Sequence, residues 1–243
     1  DPLSGPADSY IMMVAHFDSR FRQAKLQKTV YSYGAGDDAY GVGSILELLS
    51  QALKYRDEWH QGVRILFTDS EENALDGMKC AAKYNPELFE NVGYVVNLES
   101  RGMNGPVLLF ETSANNENVL DLYSEAKAPY GYSLTTVVYR FLPNNTDFTI
   151  VKDSIPGINF STIDNINYYH VDDDNYENIN LATIQHYGAQ IEPILEEFLT
   201  SGEYRDPDAL KGDEELVFFT VPILGIFSFT KPQFTLFCSV VFA

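Results

Sequence analysis

Val63-Arg64-Ile65-Leu66-Phe67 runs directly into Thr68-Asp69-Ser70-Glu71-Glu72-Asn73-Ala74-Leu75-Asp76-Gly77. The first five residues are largely apolar and open on a β-branched residue, the composition of a strand buried in a sheet. From Asn73 to about Tyr84 the sequence is helix-compatible. Two adjacent acids therefore stand where a buried strand gives way to a helix. Side chains at the carboxyl end of such a strand face the crevice in which α/β proteins place their chemistry. Neighbouring carboxylates repel, so a pair held there calls for a metal, a shared proton or a separate catalytic duty for each. A Glu-Glu pair is also a common solvated helix start favoured by the helix dipole, so the decision between the two rests on the rest of the chain.

Tyr10-Ile11-Met12-Met13-Val14-Ala15 reads as a second buried strand with His16 and Asp18 at its end. The segment from Ser19 to Gly36 is polar and patternless, closing in a flexible turn before Asp37 and Asp38. Val42, Ile45, Leu46, Leu49 and Leu53 then recur at helical spacing, predicting a helix from Ala39 to about Tyr55 with the acids at its N-terminus. Val92–Leu98 predicts a strand ending at Glu99, 107–110 another, 118–126 a helix, and 155–161 a further strand. An amphipathic helix, bent at Pro193, is expected over 184–199. This alternation predicts an α/β fold, a mixed and largely parallel sheet flanked by helices on both faces, over residues 1–200. Residues 201–215 read as a polar linker. Residues 216–243 form an apolar tail that stops in mid-run, read either as the start of a truncated membrane region or as strands packed on the domain. Neither apolar piece reaches the ~20 residues that span a bilayer.

The chain has 243 residues, 45% of them hydrophobic, enough for a sizeable core. Its formal net charge of -19 argues against a nucleic-acid partner, which asks for clustered Lys and Arg. Cys80 and Cys238 form no disulfide framework and no CxxC zinc pattern, so a metal would have to use His and carboxylates. The strand ends supply them. His16 and Asp18, Asp37 and Asp38, Glu71 and Glu72, Glu99 and His170 are all expected along one edge of one sheet. Histidine and carboxylate donors without thiolates suit zinc or a similar divalent ion, and two such ions ~3.5–4 Å apart can share a bridging carboxylate.

His16-Phe17-Asp18, Gly36-Asp37-Asp38-Ala39-Tyr40-Gly41, Glu71-Glu72-Asn73-Ala74-Leu75-Asp76-Gly77, Asn97-Leu98-Glu99 and Tyr169-His170 resemble, in order, the motifs of the M28 zinc metallopeptidases. The resemblance runs from about Tyr10 to Leu199. Within the family it is closest to the membrane-anchored endoplasmic-reticulum and vacuolar branch, through Asn97-Leu98-Glu99, Asn145-Thr146-Asp147-Phe148 ahead of Ile155-Pro156-Gly157, and Glu215-Leu216-Val217-Phe218-Phe219 leading into the apolar tail. The resemblance implies two zinc ions per chain bridged by Asp37, one completed by His16 and Glu99, the other by Glu72 and His170. It implies Glu71 as general base, Asp18 as the acceptor that orients His16, a cis peptide between Asp37 and Asp38, and Tyr169 as donor to the oxyanion, with packing as the alternative for Tyr169. Tyr40 and Ala74 depart from the usual Ser and Gly of the family, and only about nine residues precede the first strand where the family carries extra elements.

The function so implied is a zinc exopeptidase, most specifically an aminopeptidase acting on the N-termini of peptides or proteins. The implied setting is membrane-associated, through the C-terminal tail, with the domain lumenal or extracytoplasmic. Two alternatives stay open: a single-zinc cyclase like the glutaminyl cyclases, which keep equivalents of Asp37, Glu72 and His170, and a non-catalytic module on the peptidase fold. His60 is read as a loop residue, His186 as a helix-surface residue, and Asp172-Asp173-Asp174 as a solvated loop in which Asp174 matches a family acid.

Overall fold

The computed structural model describes residues 1–23 and 29–241; parts of the segment read above as patternless (24–28) and of the apolar tail (242–243) lie outside the described residues. In chain order the elements are β1 (Tyr10–His16), β2 (Phe21–Gln23), β3 (Thr29–Tyr31), α1 (Ala39–Ala52), β4 (Gly62–Thr68), α2 (Asp76–Tyr84), β5 (Val92–Ser100) and β6 (Leu108–Thr112). They continue with α3 (Glu117–Tyr123), α4 (Ser133–Tyr139), α5 (Phe148–Val151), β7 (Gly157–Thr162), α6 (Leu181–Thr200), β8 (Leu216–Val221), β9 (Gly225–Thr230) and α7 (Lys231–Val241).

Five strands make the central sheet in the order β4-β1-β5-β7-β6. The first four run parallel, and β6 closes the edge antiparallel to β7. β1 and β5 are buried along their whole length, as their unbroken apolar runs require of strands covered on both faces. On one face Ile11, Met13, Val96 and Phe160 pack with Ile45 and Leu48 of α1 and with Ile191, Ile194 and Leu195 of α6. On the other, Met12, Val14 and Val95 pack with Met78 of α2 and with Phe148 and Val151 of α5. Helices therefore cover both faces of a largely parallel sheet. The chain leaves β1 for β4 on one side and later enters β5 on the other, so the order reverses between β1 and β5. That is where such sheets open their crevice.

Several expectations are corrected. Leu46 and Leu53 face solvent, because α1 turns its Tyr40, Ile45, Leu48 and Ala52 face to the sheet and ends at Ala52. The segment after Asp18 contains an antiparallel ribbon, β2 with β3. Residues 201–215 lie against the body, with Leu210 buried and the Asn118 amide donating to the carbonyl of Lys211. Of the two readings of the tail, its first apolar stretch takes the one with strands packed on the domain: a hairpin, β8 with β9, reversing at Pro222-Ile223-Leu224. The hairpin docks by Thr220 N–H to Gly131 C=O and Phe218 N–H to Ser133 Oγ, with Phe218 in the main core. Among the described residues no helix is long and apolar enough to cross a membrane.

Candidate metal centre

Each acid and histidine is delivered by backbone that its own neighbours hold. His16 is the last residue of β1, and Glu99 lies near the end of the adjacent β5, so the reversal point brings the two together. Asp37 and Asp38, joined by a cis peptide, precede α1, and Asp38 Oδ1 caps that helix by accepting from Gly41 N–H at 3.0 Å. Asp174, buried, fixes the approach: its Oδ1 accepts from Gly36 N–H at 2.6 Å and its Oδ2 from Asp37 N–H at 3.3 Å. Glu71 and Glu72 ride a tight turn between β4 and α2 in which Ser70, Ala74 and Leu75 are left-handed, at φ 58°, 64° and 61°. Gly77 lets α2 start against that turn, since a Cβ there would meet the Asp69 carbonyl oxygen at 2.0 Å. Asp18 braces the same turn, accepting from Glu71 N–H at 3.0 Å and from Glu72 N–H at 3.2 Å.

Asp37 stands at the middle. Its Oδ1 is 3.1 Å from His16 Nε2, which is also 3.6 Å from Glu99 Oε2. Its Oδ2 is 3.1 Å from His170 Nε2, which also contacts Glu72 Oε1. Two sets result, His16-Asp37-Glu99 and Asp37-Glu72-His170, and within each the donor atoms lie within 4.8 Å of one another. His16 Nδ1 faces Asp18, closer to its backbone oxygen (2.9 Å) than to its carboxylate (3.4 Å), which leaves Nε2 toward Asp37. The Glu99 carboxylate is oriented from behind by the Asn97 amide, 3.2 Å from Oε1.

The charges of the two sets are strongly coupled. Burial disfavours charge on every group, yet contacts to Asp18, Asp37 and Glu99 hold the His16 imidazole far above its usual range. Asp37 is held down to about 2, against burial, by His16 and His170. Glu99 is pushed up to about 7 by burial, with His16 opposing. Three carboxylates gathered around two imidazoles, with all but Glu72 buried, need positive charge to be stable out of water. Nitrogen and oxygen donors without sulfur fit zinc among divalent ions. The residues therefore suit the metal that their pattern implied.

Beside the centre lies a cavity of about 590 Å³ reached by Glu71, Glu72, Glu99, Arg101 and Tyr169 and walled by Phe110, Leu134, Val138, Leu142 and Ile163. Glu71 belongs to neither ligand set, and burial followed by the Glu99 charge pushes its carboxyl up to about 10. The Tyr169 ring stacks on the His170 ring, centroids 3.5 Å apart. All eight residues singled out in the sequence thus come to one place. Asp174 is not solvated as expected: Asp172 and Asp173 are exposed, whereas Asp174 turns inward to hold the Gly36–Asp37 amides. His186 is not a surface residue, since Nδ1 accepts from Val107 N–H at 2.8 Å and Nε2 donates to Ala128 C=O at 2.9 Å. Asp147, buried and bonded to Thr68 Oγ1, and Glu111, paired with Lys152, are acids near the site that entered the sequence reading at most as parts of a motif.

A parallel sheet open at a strand reversal, with buried His and carboxylate donors around one shared Asp, defines a metallohydrolase-type site on a zinc-exopeptidase fold. The model of "Peptidase family M28" matches residues 2–195, and the chain belongs to that family of zinc-dependent peptidases. "Endoplasmic reticulum metallopeptidase 1" of Mus musculus is 31% identical over 243 residues, covering 96% of this chain. The chain spans about a quarter of that relative's length (25%). Such relatives, with vacuolar membrane proteases, place it in the branch the motifs resembled. Among solved structures, an aminopeptidase from Aneurinibacillus sp. strain AM-1 superposes with a TM-score of 0.61 at 19% identity, over 84% of this chain and 47% of that one. A glutaminyl cyclase of Porphyromonas gingivalis gives 0.60 at 20%, over 79% and 74%. These two likenesses carry the fold.

Proposed function

We propose that this chain is the catalytic domain of a zinc-dependent exopeptidase, an aminopeptidase that works with two zinc ions and with Glu71 as general base. The observation that carries the proposal is the division of Asp37: one carboxylate oxygen serves His16 and Glu99, the other Glu72 and His170. His16, Asp37 and Glu99 would hold one ion, and Asp37, Glu72 and His170 the other. When bound, such ions acidify water and polarise a scissile carbonyl.

The chain's own residues supply the rest. Glu71, at the cavity and outside both ligand sets, accepts the proton of the attacking water and passes it to the leaving amine. Tyr169, held by its stack on His170, offers its hydroxyl to the oxyanion as the carbonyl becomes tetrahedral. Asp18 keeps the Glu71–Glu72 turn and the His16 ring in register. The acidic end of the cavity suits a free α-amine, hence a preference for chain ends. By the relatives' names, the setting we propose is a membrane-attached protein with this domain on the lumenal or extracytoplasmic side.

The test is zinc per chain by elemental analysis, on wild type and Asp37→Ala after dialysis against trace zinc, followed by hydrolysis of aminoacyl substrates. About two ions per chain, falling towards zero in the variant, with release of N-terminal residues, is the expected result. One ion with cyclisation of N-terminal glutamine would favour the glutaminyl-cyclase reading, for which the P. gingivalis likeness is the motive. No zinc would favour a non-catalytic module.

A further inference from the structure

Three cations line the cavity of a chain whose formal net charge is -19: Arg20, Lys79 and Arg101. Two of them are engaged. Arg20 Nη1 is 4.0 Å from Glu72 Oε2, and Lys79 Nζ donates to the Ala74 carbonyl at 2.5 Å. Arg101 differs from both. Among the described residues no carboxylate lies within 4.0 Å of its guanidinium, and its Nε is buried without a hydrogen-bond partner. The guanidinium carbon sits 5.4 Å from the centre of the Tyr169 ring, and that ring stacks on His170. One aromatic ring thus separates an unpaired cation from a candidate metal ligand.

An arginine with a buried, unsatisfied donor is costly unless something pairs it. Its planar fork matches a carboxylate better than any other common group. Of the three cations lining the cavity, Arg101 is the one with a donor buried without a partner among the described residues. Glu71, Glu72 and Glu99 make one end acidic, and the wall of Phe110, Leu134, Val138 and Ile163 is apolar. A ligand that fills this space meets acids at one end, an apolar wall along one side and, in Arg101, a cation whose buried donor has no partner among the described residues.

Resting on the peptidase reading above, we propose that Arg101 is a specificity residue selecting substrates that carry a carboxylate close to the scissile bond. The same chemistry has two sources: the C-terminal carboxylate of a dipeptide, or the side chain of an acidic residue next to the cleaved bond. Arg101 takes the carboxylate of the bound substrate.

The test compares kcat/KM of the zinc-loaded protein on two pairs: Leu-Ala against Leu-Ala amide, and Glu-Ala amide against Gln-Ala amide. Wild type should favour the charged member of one pair by about 10–100-fold, the range of a charge-assisted hydrogen bond. Preference in the first pair assigns the C-terminal carboxylate, in the second the acidic side chain. Arg101→Gln should bring that ratio to about one, and Arg101→Lys should keep part of it, since charge remains while the fork is lost. Zinc content and melting temperature show whether the Gln variant is folded; where it is not, the wild-type ratio and the Lys variant decide. Wild-type ratios near one in both pairs, or a ratio that survives Arg101→Gln, overturn the proposal. Hydrolysis of none of the four peptides by zinc-loaded wild type is a different failure, that of the peptidase reading, and removes both.

Discussion

Glu71 and Glu72 are chain neighbours with separate surroundings. Glu72 faces His170, whereas Glu71 lines the cavity and is pushed up to about 10 by burial and then by Glu99. Glu71→Gln should therefore lower kcat/KM by about 10²–10⁴-fold, the range of general acid–base catalysis, while zinc per chain stays as in wild type. Parallel loss of zinc would place Glu71 among the ligands and sink its role as base. His186 allows a test remote from the metal. Accepting at one ring nitrogen and donating from the other, it is held neutral, and burial lowers its pKa below the usual 6.5 despite the Ala128 carbonyl. The unfolded chain then binds more protons than the folded one between that lowered value and 6.5. His186 thus contributes stability that is full above pH 6.5 and fades as pH falls through the folded value. Urea unfolding at pH 5 and pH 7.5 should show a smaller drop on acidification for His186→Asn than for wild type. Equal drops would mean that His186 titrates alike in both states.

The turn between β4 and α2 carries Glu71 and Glu72, the residues on which the proposed chemistry depends most. A methyl group at Gly77 would lie 2.0 Å from the Asp69 backbone oxygen, and its three nearest atoms are all Asp69 backbone, not a flexible side chain that could yield. Gly77→Ala should cost about 1–3 kcal/mol in thermal unfolding, as overpacking does. It should also lower activity beyond that loss, because the displaced turn carries Glu71 and Glu72. Unchanged melting and unchanged kcat/KM would show that the turn relaxes freely. β1 and β5 were legible because both are buried on both faces, so their apolar runs are unbroken, and the polar residue that ends each run announces the crevice. The stripe on α1 was legible only in part: Leu46 and Leu53 have the right spacing yet face water, since neighbouring elements choose which face is covered. Asp174 was hidden inside a run of three acids. What buries it is the pair of Gly36 and Asp37 amides more than a hundred residues away, and no local pattern carries that information. The β2–β3 ribbon and α4 lack a strong apolar period and went unread for the same reason.

Across the whole molecule, the ligand sets join segments that the chain keeps far apart. His16 ends β1, Asp37 precedes α1, Glu72 follows β4, Glu99 is next to last in β5 and His170 follows β7, so every parallel strand of the sheet sends one residue or its following loop to the centre. Global unfolding must therefore break every ligand set, and metal held there stabilises the native state alone. Free zinc at a hundred times its dissociation constant would add about 2.7 kcal/mol, which for a domain of this size is a rise of about 5–10 °C in Tm. Chelation should reverse the rise as one cooperative transition, and the increment should shrink as pH falls, because both imidazoles must lose protons to bind. Asp37 contacts both sets, so Asp37→Ala should abolish most of the increment, whereas a substitution confined to one set, such as Glu99→Ala, should leave part of it. Calorimetry of the three proteins with and without zinc makes the comparison. A full zinc increment retained in Asp37→Ala would place the stabilising metal elsewhere and remove Asp37 as the bridge on which the two-ion reading depends.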